Sequence, residues 1–104
     1  MNVPLINLGR LRSLEQELSV DDARALVATF LENTRPMISD LGSALTSGAS
    51  AEAARIAHRV KGGALAIGAA ALADLTGRIE SGAEVAGSQV TALWEQTVQA
   101  LRFD

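Results

Sequence analysis

Apolar residues recur at intervals of three and four positions along most of the chain, and this spacing predicts a series of amphipathic α-helices. Polar and glycine-containing segments separate these predicted helices. The predicted helices cover Leu8 to Leu18, a long segment of residues 20–47, Ala51 to Ile67, Ala69 to Ser81 and Gln89 to Arg102. No segment alternates apolar and polar residues as a half-buried strand does. The pattern therefore predicts an all-α fold, an antiparallel helical bundle with short connections.

Polar residues at the helix ends set the predicted boundaries. Ser19 and Ser50 are predicted N-caps, because a serine hydroxyl can accept a hydrogen bond from a first-turn amide. Pro36 lies inside the long helix, where a proline predicts a kink. The apolar faces of the first helix and of the first half of the long helix consist of Leu8, Leu11, Leu14, Leu18, Ala23, Leu26, Val27, Phe30 and Leu31. Phe30, Trp94 and Phe103 are predicted to be core residues rather than ligand contacts.

The third predicted helix carries the only histidine of the sequence beside its apolar stripe. That stripe consists of Ala53, Ile56, Ala57, Val60, Ala64 and Ile67. His58, Lys61 and Leu65 fall on the neighbouring face, because residues three and four positions apart lie above one another on a helix. The pattern therefore argues against a buried, structural role for His58.

Two glycines, Gly62 and Gly63, interrupt the same helix although its apolar stripe continues past them. Each costs about 1 kcal/mol relative to alanine in a helix interior. Residues that weaken a local structure without a structural reason, as glycines do inside a helix, tend to mark functional sites. Because His58, Lys61 and Gly62 share one face, the sequence predicts an imidazole, a cation and a gap in the side-chain cover next to one another.

Composition limits the possible chemistry. The 104 residues predict one domain, residues 1–104, with an aliphatic core, since 48% of them are hydrophobic and only 3% aromatic. There is no cysteine and one histidine, so the usual ligands of a zinc site are missing and we expect no metal centre. The sequence also lacks a phosphate-binding loop and a dinucleotide motif, so we expect no kinase or ATPase activity.

Charge and hydropathy bear on partners and location. A net charge of −3 and a pI near 5.0 argue against nucleic-acid binding, which needs a clustered basic face. The longest apolar stretch, Ala64 to Ala73, is too short to span a bilayer. Residues 1–5 lack the basic and apolar regions of a secretory signal. We therefore expect a cytoplasmic protein with no membrane insertion.

The residue types on the His58 face suit phosphoryl transfer. A neutral imidazole nitrogen is nucleophilic and can form a phosphoramidate, which stays reactive enough to give the phosphoryl group up again. Lys61, one turn further on, would stabilise the added negative charge through a charge-assisted contact. Gly62 would leave room for the active site of a second protein.

A wider set of residues resembles the signature of a known family. The set is Ala57-His58-Arg59-Val60-Lys61-Gly62, Gly68-Ala69, Leu72 and Ile79-Glu80. It resembles histidine-containing phosphotransfer (HPt) domains, most strongly over residues 45–80 and more weakly through Phe30-Leu31-Glu32 and Pro36. The resemblance implies an antiparallel four-helix bundle, here with a short additional N-terminal helix. Such domains relay phosphoryl groups in two-component signalling.

The resemblance also implies roles for individual residues. His58 would accept the phosphoryl group, Lys61 would hold the phosphoryl oxygens, and Gly62 would clear the approach of the partner. Glu80, on the next helix, would be oriented toward the histidine ring. There an acidic side chain would hold one ring nitrogen as N–H and leave the other to react.

Further implications concern the partners. Arg59 and Leu65 would lie near the docking surface. Gly63 and Leu65 depart from the family, in which Ser or Ala is common at the first position and a small residue at the second, and both bear on the fit of the partner. The implied partners are a response-regulator receiver domain and a hybrid sensor histidine kinase. The domain itself would bind no cofactor, and Mg²⁺ is expected on the partner receiver domain.

Three functions stay open on the sequence alone. The favoured one is a phosphorelay intermediate that reversibly accepts a phosphoryl group on His58 from a receiver aspartate and passes it to a response regulator. The second is the phospho-accepting domain of a chemotaxis-type histidine kinase, less favoured because these 104 residues hold no further domain. The third is a helical docking module without chemistry, in which His58 is incidental.

Overall fold

Five α-helices joined by short connections make up the described part of the chain, residues 3–102 of the computed structural model. They are α1 (Leu8–Glu17), α2 (Val20–Ser47), α3 (Ser50–Ile67), α4 (Ala70–Glu80) and α5 (Gly87–Leu101). Residues 3–102 contain no β-strand, which confirms the all-α prediction. The helix bounds lie within two residues of those predicted from the apolar spacing.

Helices α2 to α5 form the predicted four-helix bundle. Each packs against two others around the ring: α3 against α2 and α4, and α5 against α2 and α4. The short helix α1 lies outside this ring and contacts α2 and α3. No helix among the described residues is long and apolar enough to cross a membrane.

The helix ends confirm one predicted cap and correct the other. The Ser19 hydroxyl accepts a hydrogen bond from the Asp22 amide at 3.0 Å, as predicted. Ser50 is not an N-cap but the first residue of α3, and Ala49 precedes it without a side-chain cap. The reason is the tight turn at Gly48, whose left-handed φ of 74° lets α3 begin one residue earlier. Helix α2 continues through Pro36, and the kink predicted there stays a prediction.

The core contains most of the predicted apolar positions but not all. Leu14, Ala23, Val27 and Phe30 are buried, whereas Leu8, Leu18 and Leu26 are 60%, 46% and 41% exposed, so these three leucines of the apolar faces lie outside the core. A short helix against only two neighbours buries a narrow face, which leaves both ends of α1 uncovered. Leu26 stays exposed although the adjacent Val27 is buried.

The predicted aromatic core residues lie together where they are described. The rings of Phe30 and Trp94 are tilted by 57° with centroids 6.2 Å apart, and both side chains are buried. Phe103 lies outside the described residues.

The turn between α3 and α4 positions the site. Gly68 ends α3 in the left-handed conformation, with φ of 85°, and α4 returns along α3. His58 and Glu80 are 22 positions apart in sequence, but they lie at comparable distances on either side of this turn. The antiparallel pair therefore brings the end of α4 beside the middle of α3.

Candidate functional site

The imidazole of His58 projects from the middle of α3, with its side chain 68% exposed. The residues on either side of it along the core face, Ala57 and Val60, are buried. They fix the rotation of α3 and keep His58 on the outer face. The predicted separation between the apolar stripe and the histidine is therefore present in the structure.

One carboxylate joins the imidazole to a cation. The His58 Nδ1 atom lies 2.5 Å from Glu80 Oε2, and Lys61 Nζ donates a hydrogen bond to Glu80 Oε1 at 2.5 Å. Because a carboxylate oxygen can only accept, its contact with Nδ1 places the ring proton there. The other ring nitrogen, Nε2, then keeps its lone pair on a side chain that is largely open to solvent.

The electrostatics favour the charged form of Glu80. Its pKa is lowered, chiefly by the hydrogen bond from Lys61 and further by the hydrogen bond and charge of His58, while partial desolvation opposes the shift. The Glu80 and Lys61 side chains are only 29% and 31% exposed. At neutral pH the site therefore presents a carboxylate anion held between an ammonium group and an imidazole.

The two glycines of α3 have different surroundings. A Cβ atom at Gly62 would meet nothing within 4 Å, so nothing in the fold itself requires a glycine there. A Cβ atom at Gly63 would lie 3.0 and 3.1 Å from two ring carbons of Phe30. The structure therefore gives Gly63 a packing reason, and only Gly62 fits the expectation of a glycine without one.

The two residues that the sequence places at a docking surface are both exposed on α3: Leu65 lies two turns from His58 on its face, and Arg59 directly follows His58 on the neighbouring face. Leu65 is 59% exposed, a high value for a leucine in a helix that forms part of a bundle. Arg59 is exposed and makes no ion pair with any residue between 3 and 102. Neither residue is used by the fold, so both are available for contacts outside it.

One residue near the site was missed by the sequence analysis. A Cβ atom at Gly77 would lie 3.5 Å from Lys61 Cδ, so the lysine side chain passes over this position of α4. The available signal was the position of Gly77, three residues before Glu80 on the same helix face. It went unused because the path of Lys61 is set by tertiary packing.

One of the comparisons with known proteins identifies a family. A family model described as Hpt domain matches residues 25–103, which is most of the chain and includes both helices of the site. The match begins within α2 and leaves out α1. Searches of curated proteins and of solved structures gave no significant match.

Proposed function

The chain belongs to the Hpt domain family, whose general role is histidine phosphotransfer in phosphorelays, and we propose that His58 is the residue that carries the phosphoryl group. The observation that supports this most directly is the bond between His58 Nδ1 and Glu80. It fixes the proton on one ring nitrogen and leaves the other, on an exposed side chain, able to react.

In the proposed reaction, the Nε2 lone pair attacks the phosphorus of an aspartyl phosphate on a receiver domain. The new P–N bond forms while the P–O bond to the aspartate breaks, and the electron pair leaves with the aspartate carboxylate. The ring keeps its Nδ1 proton and gains a positive charge, which the Glu80 carboxylate stabilises. No proton has to be removed, so the reverse step can deliver the phosphoryl group to the aspartate of a response regulator.

The neighbours of His58 divide the remaining tasks. Lys61 supplies a cation to the phosphoryl oxygens, since its ammonium group binds the same carboxylate as the ring. Gly62 leaves the space beside the ring open to the partner. Arg59 and Leu65 contact the receiver surface, and Mg²⁺ binds to the partner rather than to this domain. The cytoplasmic location stays a prediction.

The test is transfer of labelled phosphate from a panel of receiver domains phosphorylated on aspartate. We expect label to move to the wild-type protein and not to His58→Gln, and the labelled product to be labile in acid and stable in base. A matched control, Gln99→Ala on α5, keeps the label because it is exposed and lies outside the site.

Three outcomes would change the proposal. Label on His58→Gln would exclude His58 as the acceptor. Transfer from a kinase domain with ATP, and from no receiver, would identify the chain as the phospho-accepting domain of a chemotaxis-type kinase. No transfer from any donor to folded protein would favour the docking module.

A further inference from the structure

The Lys61 side chain runs along the outside of α4. Its Cδ atom would lie 3.5 Å from a Cβ atom at Gly77, and its Nζ atom ends 2.5 Å from Glu80 Oε1. Gly77 and Glu80 are three positions apart, so they share one face of α4. The methylene chain of Lys61 therefore crosses the helix over Gly77 before its ammonium group reaches the carboxylate.

No other feature of the fold requires a glycine at position 77. The glycines with positive φ among residues 3–102 are Gly48, Gly68 and Gly82, so Gly77 has ordinary helical geometry. Apart from its chain neighbours and the nearby backbone of α4, the only atom of residues 3–102 within 4 Å of its added Cβ is Lys61 Cδ. A glycine in a helix interior weakens the helix, and the space it leaves here is used by Lys61 alone.

We propose that Gly77 is a positioning residue: the missing side chain lets Lys61 lie flat against α4 and directs its ammonium group to Glu80 beside the His58 ring. The consequence for phosphoryl transfer rests on the proposed function, whereas the positioning itself does not. A single methyl at 3.5 Å is in ordinary contact and leaves the path open. The branched methyls of valine extend about 1.5 Å further, overlap the lysine chain and lift it away.

The pKa of the Glu80 carboxyl reports this displacement without any partner protein. The hydrogen bond from Lys61 is the largest cause of its lowering. We would follow the Glu80 side-chain carboxyl carbon by NMR through a pH titration of the full, unphosphorylated chain. Gly77→Val is expected to raise the pKa by at least half of the rise produced by Lys61→Gln. Gly77→Ala is expected to leave it unchanged.

Gly42→Ala is the matched control for Gly77→Ala, because Gly42 is also a helical glycine and nothing lies within 4 Å of its added Cβ. Both alanine variants should raise the melting temperature by about 4 °C or more without moving the Glu80 pKa. If folded Gly77→Val keeps the wild-type Glu80 pKa, Gly77 does not position Lys61.

A second measurement covers the case in which the valine variant does not fold. The methyl group introduced by Gly77→Ala should give a nuclear Overhauser effect to the Lys61 δ protons. The absence of that contact in the folded variant would overturn the proposal, and its presence supports it.

Transfer assays separate this inference from the proposed function. Gly77→Val and Lys61→Gln should slow acceptance of phosphate from a receiver to a similar extent. If the wild type accepts phosphate from no donor while the pKa changes follow the expected pattern, the proposed function fails and the positioning role stands. If the wild type and Gly77→Val accept phosphate equally well and share one Glu80 pKa, the positioning role fails and the function stands.

Discussion

Glu80 is the residue that turns a histidine and a lysine on one helix into a single polar group. The sequence predicted that His58 and Lys61 share a face, and it placed Glu80 near the ring through family resemblance. It did not reveal that the two carboxylate oxygens bind different partners. That detail depends on the packing of α4 against α3 and on side-chain rotamers, which spacing along the chain does not encode.

The charge of Glu80 is testable through Glu80→Gln. The amide oxygen can still accept from Nδ1–H, but it stabilises the positive ring of the phosphorylated state less well than a carboxylate. We expect the single-turnover rate of phosphate acceptance from a receiver to fall about tenfold, and Glu80→Ala to be slower still. Glu95→Gln, at an exposed position of α5, should match the wild type. A wild-type rate in Glu80→Gln would show that the carboxylate charge is not used.

The lowered pKa of Glu80 also predicts a dependence of stability on pH. A carboxyl whose pKa is lower in the folded than in the unfolded state stabilises the fold above the unfolded pKa, and this contribution is lost as the pH falls through the folded pKa. The unfolded reference is near 4.5. Urea unfolding should therefore show wild type more stable than Glu80→Gln at neutral pH, with the difference shrinking below pH 4.5. The titratable groups facing the carboxyl are His58 and Lys61. If the difference in unfolding free energy between wild type and Glu80→Gln stays constant as the pH falls below 4.5, the pKa of Glu80 is not lowered in the folded state.

At the scale of the element, α3 combines a buried stripe with an open face that carries the candidate chemistry. The stripe was predictable because it follows the 3.6-residue period, and all of its predicted members are buried. The first residue of α3 was not predictable in this way. Ser50 resembles an N-cap in the local sequence, but the turn at Gly48 sets where the helix begins. The different roles of Gly62 and Gly63 could not be predicted from the sequence either, because the Phe30 ring that packs against Gly63 belongs to another helix, α2.

The two glycines of α3 give a matched pair of stability measurements. Gly62→Ala should raise the free energy of unfolding by about 1 kcal/mol, because the helix gains propensity and the new methyl meets nothing. Gly63→Ala gains the same propensity but presses on the Phe30 ring, and overpacking costs about 1–3 kcal/mol. We expect it to be neutral or destabilising by up to about 2 kcal/mol. Urea denaturation measures both, and equal gains at the two positions would contradict the assignment.

A bulky residue at Gly62 should separate docking from chemistry. The side chain of Gly62→Leu would stand beside His58 on the open face and hold a receiver away, and its Cβ atom would meet nothing within 4 Å. A misplacement of about 1 Å can cost a hundredfold in rate, so transfer from a receiver should fall by at least tenfold. Phosphorylation by phosphoramidate, a donor small enough to pass the side chain, should stay close to wild type. Equal losses with both donors would point to damage at the ring instead of a blocked approach.

At the scale of the whole molecule, α1 is the part that local patterns describe least well. It lies outside the family match, and contacts with the last turn of α3 and with Gly68, the residue that ends α3, hold it in place. The backbone N–H of Asn7 donates a hydrogen bond to the Gly68 carbonyl at 2.8 Å, and the Arg10 Nε atom donates to the Ala66 carbonyl at 2.8 Å. The sequence predicted α1 as a helix, but its position depends on these long-range contacts.

Gly68 and Gly48 allow the attachment of α1 to be measured. Both end a helix in the left-handed conformation, with φ of 85° and 74°, so alanine strains the backbone at either position by about 1 kcal/mol or more. Only at Gly68 would the new methyl also lie 2.9 Å from the Asn7 carbonyl oxygen, whereas Gly48 is open. Gly68→Ala should therefore lose about 1 kcal/mol more stability than Gly48→Ala in urea denaturation. Hydrogen exchange of the Asn7 amide should accelerate in Gly68→Ala alone. Equal losses, with the Asn7 amide still protected, would mean that α1 is held without this contact.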